Sequence, residues 1–170
     1  MTRWLRFVLT FLRALFRPKA QLQEEQTLQF WTWVTEADLS YINNSSLLVY
    51  FELGRIDFLC RSGLVYWCVK SKIFPVIASG HLNFLRPLKR FQKLELRSRI
   101  VFWDENWIWM EQNLSTKIRG ESKPVSKFLL KVAFRKDKSR YSVFKVLEGS
   151  GLKLSPMIKP ECITKLENIE

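Results

Sequence analysis

Few side chains in this sequence are of the kinds that do chemistry unaided. There is one histidine, His81, and three cysteines, Cys60, Cys68 and Cys162, with no Cys-x-x-Cys pair among them. A zinc site would have to recruit carboxylates, and a Ser-His-Asp or Cys-His catalyst would have to be built on His81 without a supporting motif. An odd, small cysteine count also excludes a disulfide framework. Two stretches remain. The polar run TEADLSYINNSS sets Asp38 ahead of four residues suited to capping a helix: Asn43, Asn44, Ser45 and Ser46. A carboxylate in that place is favoured by the dipole of the helix that follows, with or without a further role. The second stretch clusters Arg86, Lys89, Arg90 and Lys93. Such a cluster matches phosphate oxygens, or is simply a solvated loop face.

The elements that must position these groups follow from periodicity. Leu28 to Val34 is aromatic and rich in strand formers, and predicts a strand. Leu47 to Cys60 is apolar nearly all round, which predicts a buried helix ended by Ser62-Gly63. Gly54 in its middle predicts a close approach of another element. Beyond it the period changes to two. Strands are expected around 76–85, 94–102, 107–117 and 126–135, with a turn at Trp103-Asp104-Glu105-Asn106-Trp107. A short helix is expected at 143–147 and a loose tail from Lys153. His81 falls on an alternating strand and reads as structural. One helix enclosed by long antiparallel strands is an α+β layout.

Composition is that of an ordinary globular chain: 170 residues, 47% hydrophobic and 26% charged, which excludes global disorder. The net charge of +12 is the unusual quantity. It points to an anionic partner such as nucleic acid, anionic lipid or a phosphate-bearing metabolite, or to solubility alone. No zinc-finger, RNP or P-loop pattern is present, and nucleic acid ranks last of the three.

The first nineteen residues stand apart. On a helical wheel Arg3, Arg6, Thr10, Arg13 and Arg17 share one sector, while Trp4, Leu5, Phe7, Val8, Leu9, Phe11, Leu12, Leu15 and Phe16 cover the rest. The segment is too often interrupted by arginine to span a bilayer and lacks a signal-peptide cleavage pattern. It predicts an interfacial helix, ended by Pro18, with its arginines near an anionic leaflet. The competing expectation is a helix docked on the domain or on a second subunit. The expected division is 1–19 as a membrane-interface helix, 20–27 as a linker, 28–150 as the folded domain and 151–170 as a C-terminal tail. The expected location is cytoplasmic, with peripheral contact at a membrane surface.

Several stretches resemble the hot-dog-fold acyl-CoA thioesterases, in the branch related to 4-hydroxybenzoyl-CoA thioesterase. They are Asp38-Leu39 with Asn43-Asn44 and Tyr50 to Asp57, then Arg61 to Leu64. Next come Phe74-Pro75-Val76 and Phe84 to Leu88, then Phe91 to Arg97 with Trp103 to Trp107 and Glu111-Gln112. Arg17-Pro18-Lys19 also looks like members of this branch. The resemblance implies a curved antiparallel sheet wrapped around the long helix, and a homodimer or homotetramer whose sheets join edge to edge. It implies an active site at the dimer interface, with an acyl-CoA thioester as substrate and no cofactor other than the coenzyme A of that substrate. By the same resemblance the thioester carbonyl sits at the N-terminus of the central helix. There, backbone N–H groups near Asn44 to Leu47 stabilise the oxyanion, and a loop carboxylate acts as nucleophile or general base.

The family's loop resembles Asp-x-Asp, a short spacer, then His-Met-Asn-Asn. In this sequence Asn43-Asn44 match, Ile42 precedes them, and Tyr41 stands where the family has His. Without a gap the two Asp positions fall on Thr35 and Ala37. With a loop three residues shorter, Asp38 matches the first and Ser40 the second. In either register the second Asp is missing, and loss of a general base costs roughly 10²–10⁴ in rate. Asp38, Asn43 and Asn44 are thus the expected catalytic residues. Tyr41, Ser45, Arg86, Lys89 and Arg90 are the expected substrate contacts, the last three holding the phosphates of coenzyme A. Hydrolysis is the favoured activity, and binding of an acyl-CoA or fatty acyl group without turnover is the alternative.

Overall fold

The computed structural model describes residues 3–32, 37, 38 and 41–167. The elements in chain order are α1 (Arg3–Phe16), β1 (Gln26–Trp31), β2 (Ala37–Asp38), β3 (Tyr41–Ile42), α2 (Asn44–Arg61), α3 (Leu64–Ser71), β4 (Ile73–Phe84), β5 (Lys93–Trp103), β6 (Ile108–Ile118), β7 (Glu121–Lys136), β8 (Ser139–Tyr141), α4 (Val143–Ser150) and α5 (Glu161–Glu167). Five strands form an antiparallel sheet in the order β1-β5-β6-β7-β4, with β8 pairing the end of β7. The register shifts at Ile77/Ser79, Ile100/Phe102 and Leu114/Ser115. Bulges of this kind bend strands and raise their twist, which lets a five-stranded sheet curl round one helix.

That helix is α2. Leu47, Tyr50, Phe51 and Phe58 on α2 share a single core with Leu94, Leu96, Ile100, Met110, Leu114, Phe128 and Leu130 of the sheet. The all-round apolar sequence has its physical reason here: the sheet takes one face of α2, and α1 lies along another. Gly54 sits at the closest approach to the sheet. A Cβ there would stand 2.3 Å from Leu96 Cδ2 and 2.9 Å from Gln112 Nε2, so the close packing expected of this glycine is observed. A polar clasp beside it pins the helix. Gln112 Nε2 donates to the Phe51 carbonyl and to Ser98 Oγ, both at 3.0 Å, and Gln112 Oε1 accepts from Arg55 Nη1 at 3.1 Å. The Ser62-Gly63 stop is also as expected, with Gly63 at φ 77°.

Several expectations need correction. Helix α3 and strand β8 were not anticipated, and β1 is offset toward the N-terminus from the expected strand, which runs into residues outside the described set. The supposed linker is not free. Leu22 is buried in the core and Ala20 N–H donates to the Arg61 carbonyl at 3.2 Å. The tail is not loose: Leu154 and Ile163 are buried, and Trp103 Nε1 donates to the Ser155 carbonyl at 3.0 Å. Sparse apolar residues without a period can still be taken up by gaps left at the end of a sheet.

Helix α1 forms as expected, and two of its arginines, Arg6 and Arg17, face the protein, while Arg13 stays exposed. Arg6 is 5% exposed, donates from Nη2 to the Trp31 carbonyl at 3.2 Å and lies 5.3 Å from the centre of the Tyr50 ring. Arg17 Nη1 reaches both Asp57 carboxylate oxygens at 3.1 and 3.0 Å, and its Nη2 donates to the Thr27 carbonyl at 2.7 Å. Asp57 is 1% exposed on α2. A carboxylate so placed requires cations, and Arg17 with Arg61, 3.8 Å away, supplies them. The apolar face therefore turns outward: Trp4, Leu5, Val8, Leu12, Leu15 and Phe16 are exposed, Trp4 to 79% and Phe16 to 89%.

Candidate active site

The start of α2 is the part of the fold where expected site residues converge. Asn43 is its N-cap, in extended conformation. Its Oδ1 accepts from Ser45 N–H at 2.8 Å and from Ser45 Oγ at 2.9 Å, and Ser46 N–H donates to the Asn43 carbonyl at 3.0 Å. Capping is therefore the direct work of the Asn43 and Ser45 side chains, and it fixes where the helix begins. Asn44 is the first helical residue, and its N–H lies at the positive end of the helix dipole. Asn43, Asn44 and Ser45 are all exposed at this mouth.

The polar loop ahead of the helix holds a two-stranded ribbon. Strand β2 pairs with β3, setting Asp38 opposite Tyr41 and Ala37 opposite Ile42. The backbone of Asp38 thus runs beside the two residues that lead directly into the Asn43 cap. The other possible matches for the acidic pair, Thr35 and Ser40, lie outside the described residues. Tyr41 is half exposed.

The basic loop between β4 and β5 packs against the same ribbon. Ile42 N–H donates to the Leu88 carbonyl at 2.8 Å, and Tyr41 forms a bridge with Lys89. Thr32 clamps that loop: its N–H donates to the Gln92 carbonyl at 3.0 Å, its Oγ1 donates to the Lys89 carbonyl at 3.0 Å, and Gln92 N–H donates back to Thr32 Oγ1 at 2.8 Å. Gln92 Oε1 accepts from Lys89 N–H at 2.8 Å. The chain thereby brings Lys89 beside Tyr41 and the helix mouth. Arg90 lies in the same loop, half-buried. Arg86 is exposed at its far end, where its N–H donates to the Val125 carbonyl at 3.1 Å. Lys93 opens β5 and pairs with Trp31, away from the mouth. Sequence reasoning passes over Thr32 and Gln92, because nothing in their types distinguishes a loop clamp from ordinary polar residues.

Other titratable groups of the chain lie away from this place. Glu52 lies two turns into α2 and lines a cavity of about 490 Å³ with Trp4, Phe7 and Ile56 under α1. His81 is exposed on β4, an edge strand. Burial pushes the Cys60 and Cys68 thiols up to about 11, so neither is a ready nucleophile. Among the described residues no group of His, Cys, Asp and Glu could hold a metal ion.

The model of the thioesterase-like superfamily matches residues 32–158. The chain belongs to the thioesterase-like superfamily. The match takes in the Thr32 clamp, the ribbon, α2 and the whole of the sheet from β4 to β8. A probable thioesterase of Saccharomyces cerevisiae is 32% identical over 77 residues, 44% of this chain and 33% of that protein. The chain thus matches about a third of the length of that relative. Among solved structures, the probable thioesterase YbaW of Escherichia coli is 19% identical with a TM-score of 0.65, covering 75% of this chain and 98% of its own. The 4-hydroxybenzoyl-CoA thioesterase of Pseudomonas sp. strain CBS-3 is 13% identical with a TM-score of 0.62, covering 74% of this chain and 98% of its own. A mutant 4-hydroxybenzoyl-CoA thioesterase complexed with 4-hydroxybenzoyl-CoA is 12% identical with a TM-score of 0.67, over 74% and 98%. The expected α+β hot-dog fold is therefore the fold of this chain.

Proposed function

We propose that this chain hydrolyses acyl-CoA thioesters to the free acid and coenzyme A. The observation that carries the reading is the ribbon that sets Asp38 opposite Tyr41, immediately ahead of the capped N-terminus of α2. The Asp38 carboxylate draws a proton from water as it attacks the thioester carbonyl. Backbone N–H groups at the start of α2, Asn44 foremost, receive the developing oxyanion, helped by the helix dipole. Collapse of the tetrahedral intermediate breaks the C–S bond, and the departing thiolate takes up the proton. Lys89 and Arg90, with Arg86 further along the loop, serve the phosphates of coenzyme A. A related fold has been solved with 4-hydroxybenzoyl-CoA bound, which supports a CoA ester as the substrate class. The assembly in this reading is a dimer or higher. Its support is β4, an edge strand with exposed Phe74, Val76 and Ile77 that offers an unpaired edge to a second copy.

The same reading includes peripheral membrane contact through the outward apolar face of α1. No helix among the described residues is long and apolar enough to cross a membrane, whereas a helix with one wholly apolar face suits the interface. Binding of an acyl-CoA or fatty acyl group without turnover is the second reading, favoured by the absence of an Asp at the family's second acidic position.

Thiol release from a panel of short, long and aromatic acyl-CoAs tests the proposal. Turnover is expected, and Asp38→Ala should lower it by roughly 10²–10⁴ while leaving the melting temperature unchanged. Turnover that survives Asp38→Ala would remove Asp38 from the mechanism. An acyl-CoA that raises the melting temperature but is never hydrolysed would establish the binding alternative.

A further inference from the structure

We propose that the seam between α1 and the β1 edge of the sheet is a binding site for the phosphate-bearing head group of an anionic lipid. The inference rests on the membrane contact proposed above and adds what that contact recognises. The seam holds a cavity of about 500 Å³, within the size range of ordinary small-ligand sites. Three cations from two different elements line it: Arg6 and Arg13 of α1, and Lys93 at the start of β5. Among the described residues that line it there is no carboxylate. The nearest acid along the β1–β5 pair, Glu95, is engaged by Gln29 Nε2 at 3.0 Å and by Arg97 at 2.8 Å. A second cavity of about 380 Å³ continues along the seam with Arg13 and Arg17, again without an acid among the described residues that line it.

The two cation environments differ in depth. Arg6 lies at the floor, almost wholly buried, with its guanidinium fixed by the Trp31 carbonyl and the Tyr50 ring. Arg13 and Lys93 are exposed at the mouth. Planar guanidinium groups and an ammonium converging from separate elements suit the several oxygens of one phosphate. The remaining lining is mixed, with apolar Leu9, Phe30, Trp31 and Leu53 beside polar Thr10 and Gln29, and its apolar part gives an amphiphile a contact that a free anion cannot use. Leu9 also belongs to the exposed apolar face of α1, so acyl surface and cationic seam are contiguous. With α1 lying in the plane of the interface, Leu5, Leu9 and Leu12 enter the acyl boundary and the seam sits at head-group depth. The overall charge of +12 favours an anionic leaflet as the occupant over a second copy of this equally cationic chain.

Co-sedimentation of the full chain is the test, with vesicles of phosphatidylcholine alone and of equal parts phosphatidylcholine and phosphatidic acid. Wild type should partition better into the second. Arg13→Gln/Lys93→Gln should reduce that gain by about tenfold. Lys136→Gln/Lys138→Gln removes the same charge at the β7–β8 turn, three strands from β1, and should reduce it by less than about twofold. Equal losses in the two double variants would overturn the site. Calorimetric titration with monomeric dihexanoylphosphatidate and with inorganic phosphate separates the sources. Saturable binding of the lipid, lost in Arg13→Gln/Lys93→Gln and not matched by phosphate, is expected. Equal binding of inorganic phosphate would overturn the lipid assignment, and no saturable binding would overturn the site altogether. If the membrane reading alone is wrong, wild type partitions into neither vesicle while the monomeric lipid still binds.

Discussion

Replacing Arg17 with methionine keeps most of the side-chain stem and removes the guanidinium that meets Asp57. Deleting one member of a fully buried ion pair costs about 3–5 kcal/mol, because the other charge stays buried without its partner. Here Arg17 is 35% exposed and Arg61 remains 3.8 Å from the same carboxylate. Solvent screening and the second cation lower the expected cost to about 1.5–3 kcal/mol. For a domain of this size that is a fall in Tm of about 3–12 °C. The variant loses the bond to the Thr27 carbonyl as well, so α1 should also become a preferred site of limited proteolysis. A double-mutant cycle with Asp57→Asn, read by urea melts, isolates the pair. The reasoning predicts a coupling of at least about 1 kcal/mol. A coupling below about 0.5 kcal/mol would mean that the pair does not hold α1 in place and would refute it.

The pH dependence gives that experiment a sign. Burial raises the Asp57 carboxyl above its ordinary value, while Arg17 and Arg61 pull it back down. Without Arg17 the effect of burial is less opposed, and the carboxyl rises further. An acid with a raised folded-state pKa makes the folded state bind protons more readily than the unfolded chain, so stability falls as pH rises from the unfolded value through the folded one. The deficit of Arg17→Met is therefore full above that window and shrinks as the pH falls through it.

Gly54→Ala should cost about 1–3 kcal/mol, since the new Cβ meets Leu96 and Gln112 at overlapping distances and α2 must move off the sheet; a urea melt checks this. Asn43→Ala removes the cap on α2 and should cost about 1 kcal/mol in a urea melt; thioesterase turnover should fall with it, because the helix mouth frays, and Asn43→Asp should restore both. Truncation after Lys153 removes Leu154 and Ile163 from the core, and should lower the thermal midpoint measurably; an unchanged midpoint would show that the tail contributes nothing to the fold.

How much of this was legible in the sequence differs by element. The buried central helix, the four long strands and the turn at Asp104 follow from local patterns, because alternation and capping are properties of neighbouring residues. Asp104 Oδ1, for instance, accepts from Asn106 and Trp107 N–H at 2.8 and 2.9 Å within that turn. The helix start at Asn43 was equally legible, and the structure makes it the cap. The ribbon of β2 and β3 was not. Two-residue strands have no period to detect, and these are fixed by Leu88 and Lys89, far along the chain. The basic cluster shows the same division. The sequence groups Arg86, Lys89, Arg90 and Lys93, yet the Thr32–Gln92 clamp holds the Lys89 backbone beside Tyr41 while Lys93 lines the seam beside α1.

Helix α1 marks the boundary most sharply. Its amino acids by themselves determine that it is a helix with one arginine edge and one broad apolar face. They do not determine which side turns inward, because burial of a face depends on what it meets. An apolar partner surface would have drawn in the leucines. The tertiary structure instead presents a buried carboxylate, Asp57, together with the Trp31 carbonyl and the face of Tyr50. Leaving that carboxylate without cations costs several kcal/mol, so Arg17 turns inward to it, Arg6 follows onto the Trp31 carbonyl and the Tyr50 ring, and the broad apolar face is left outside.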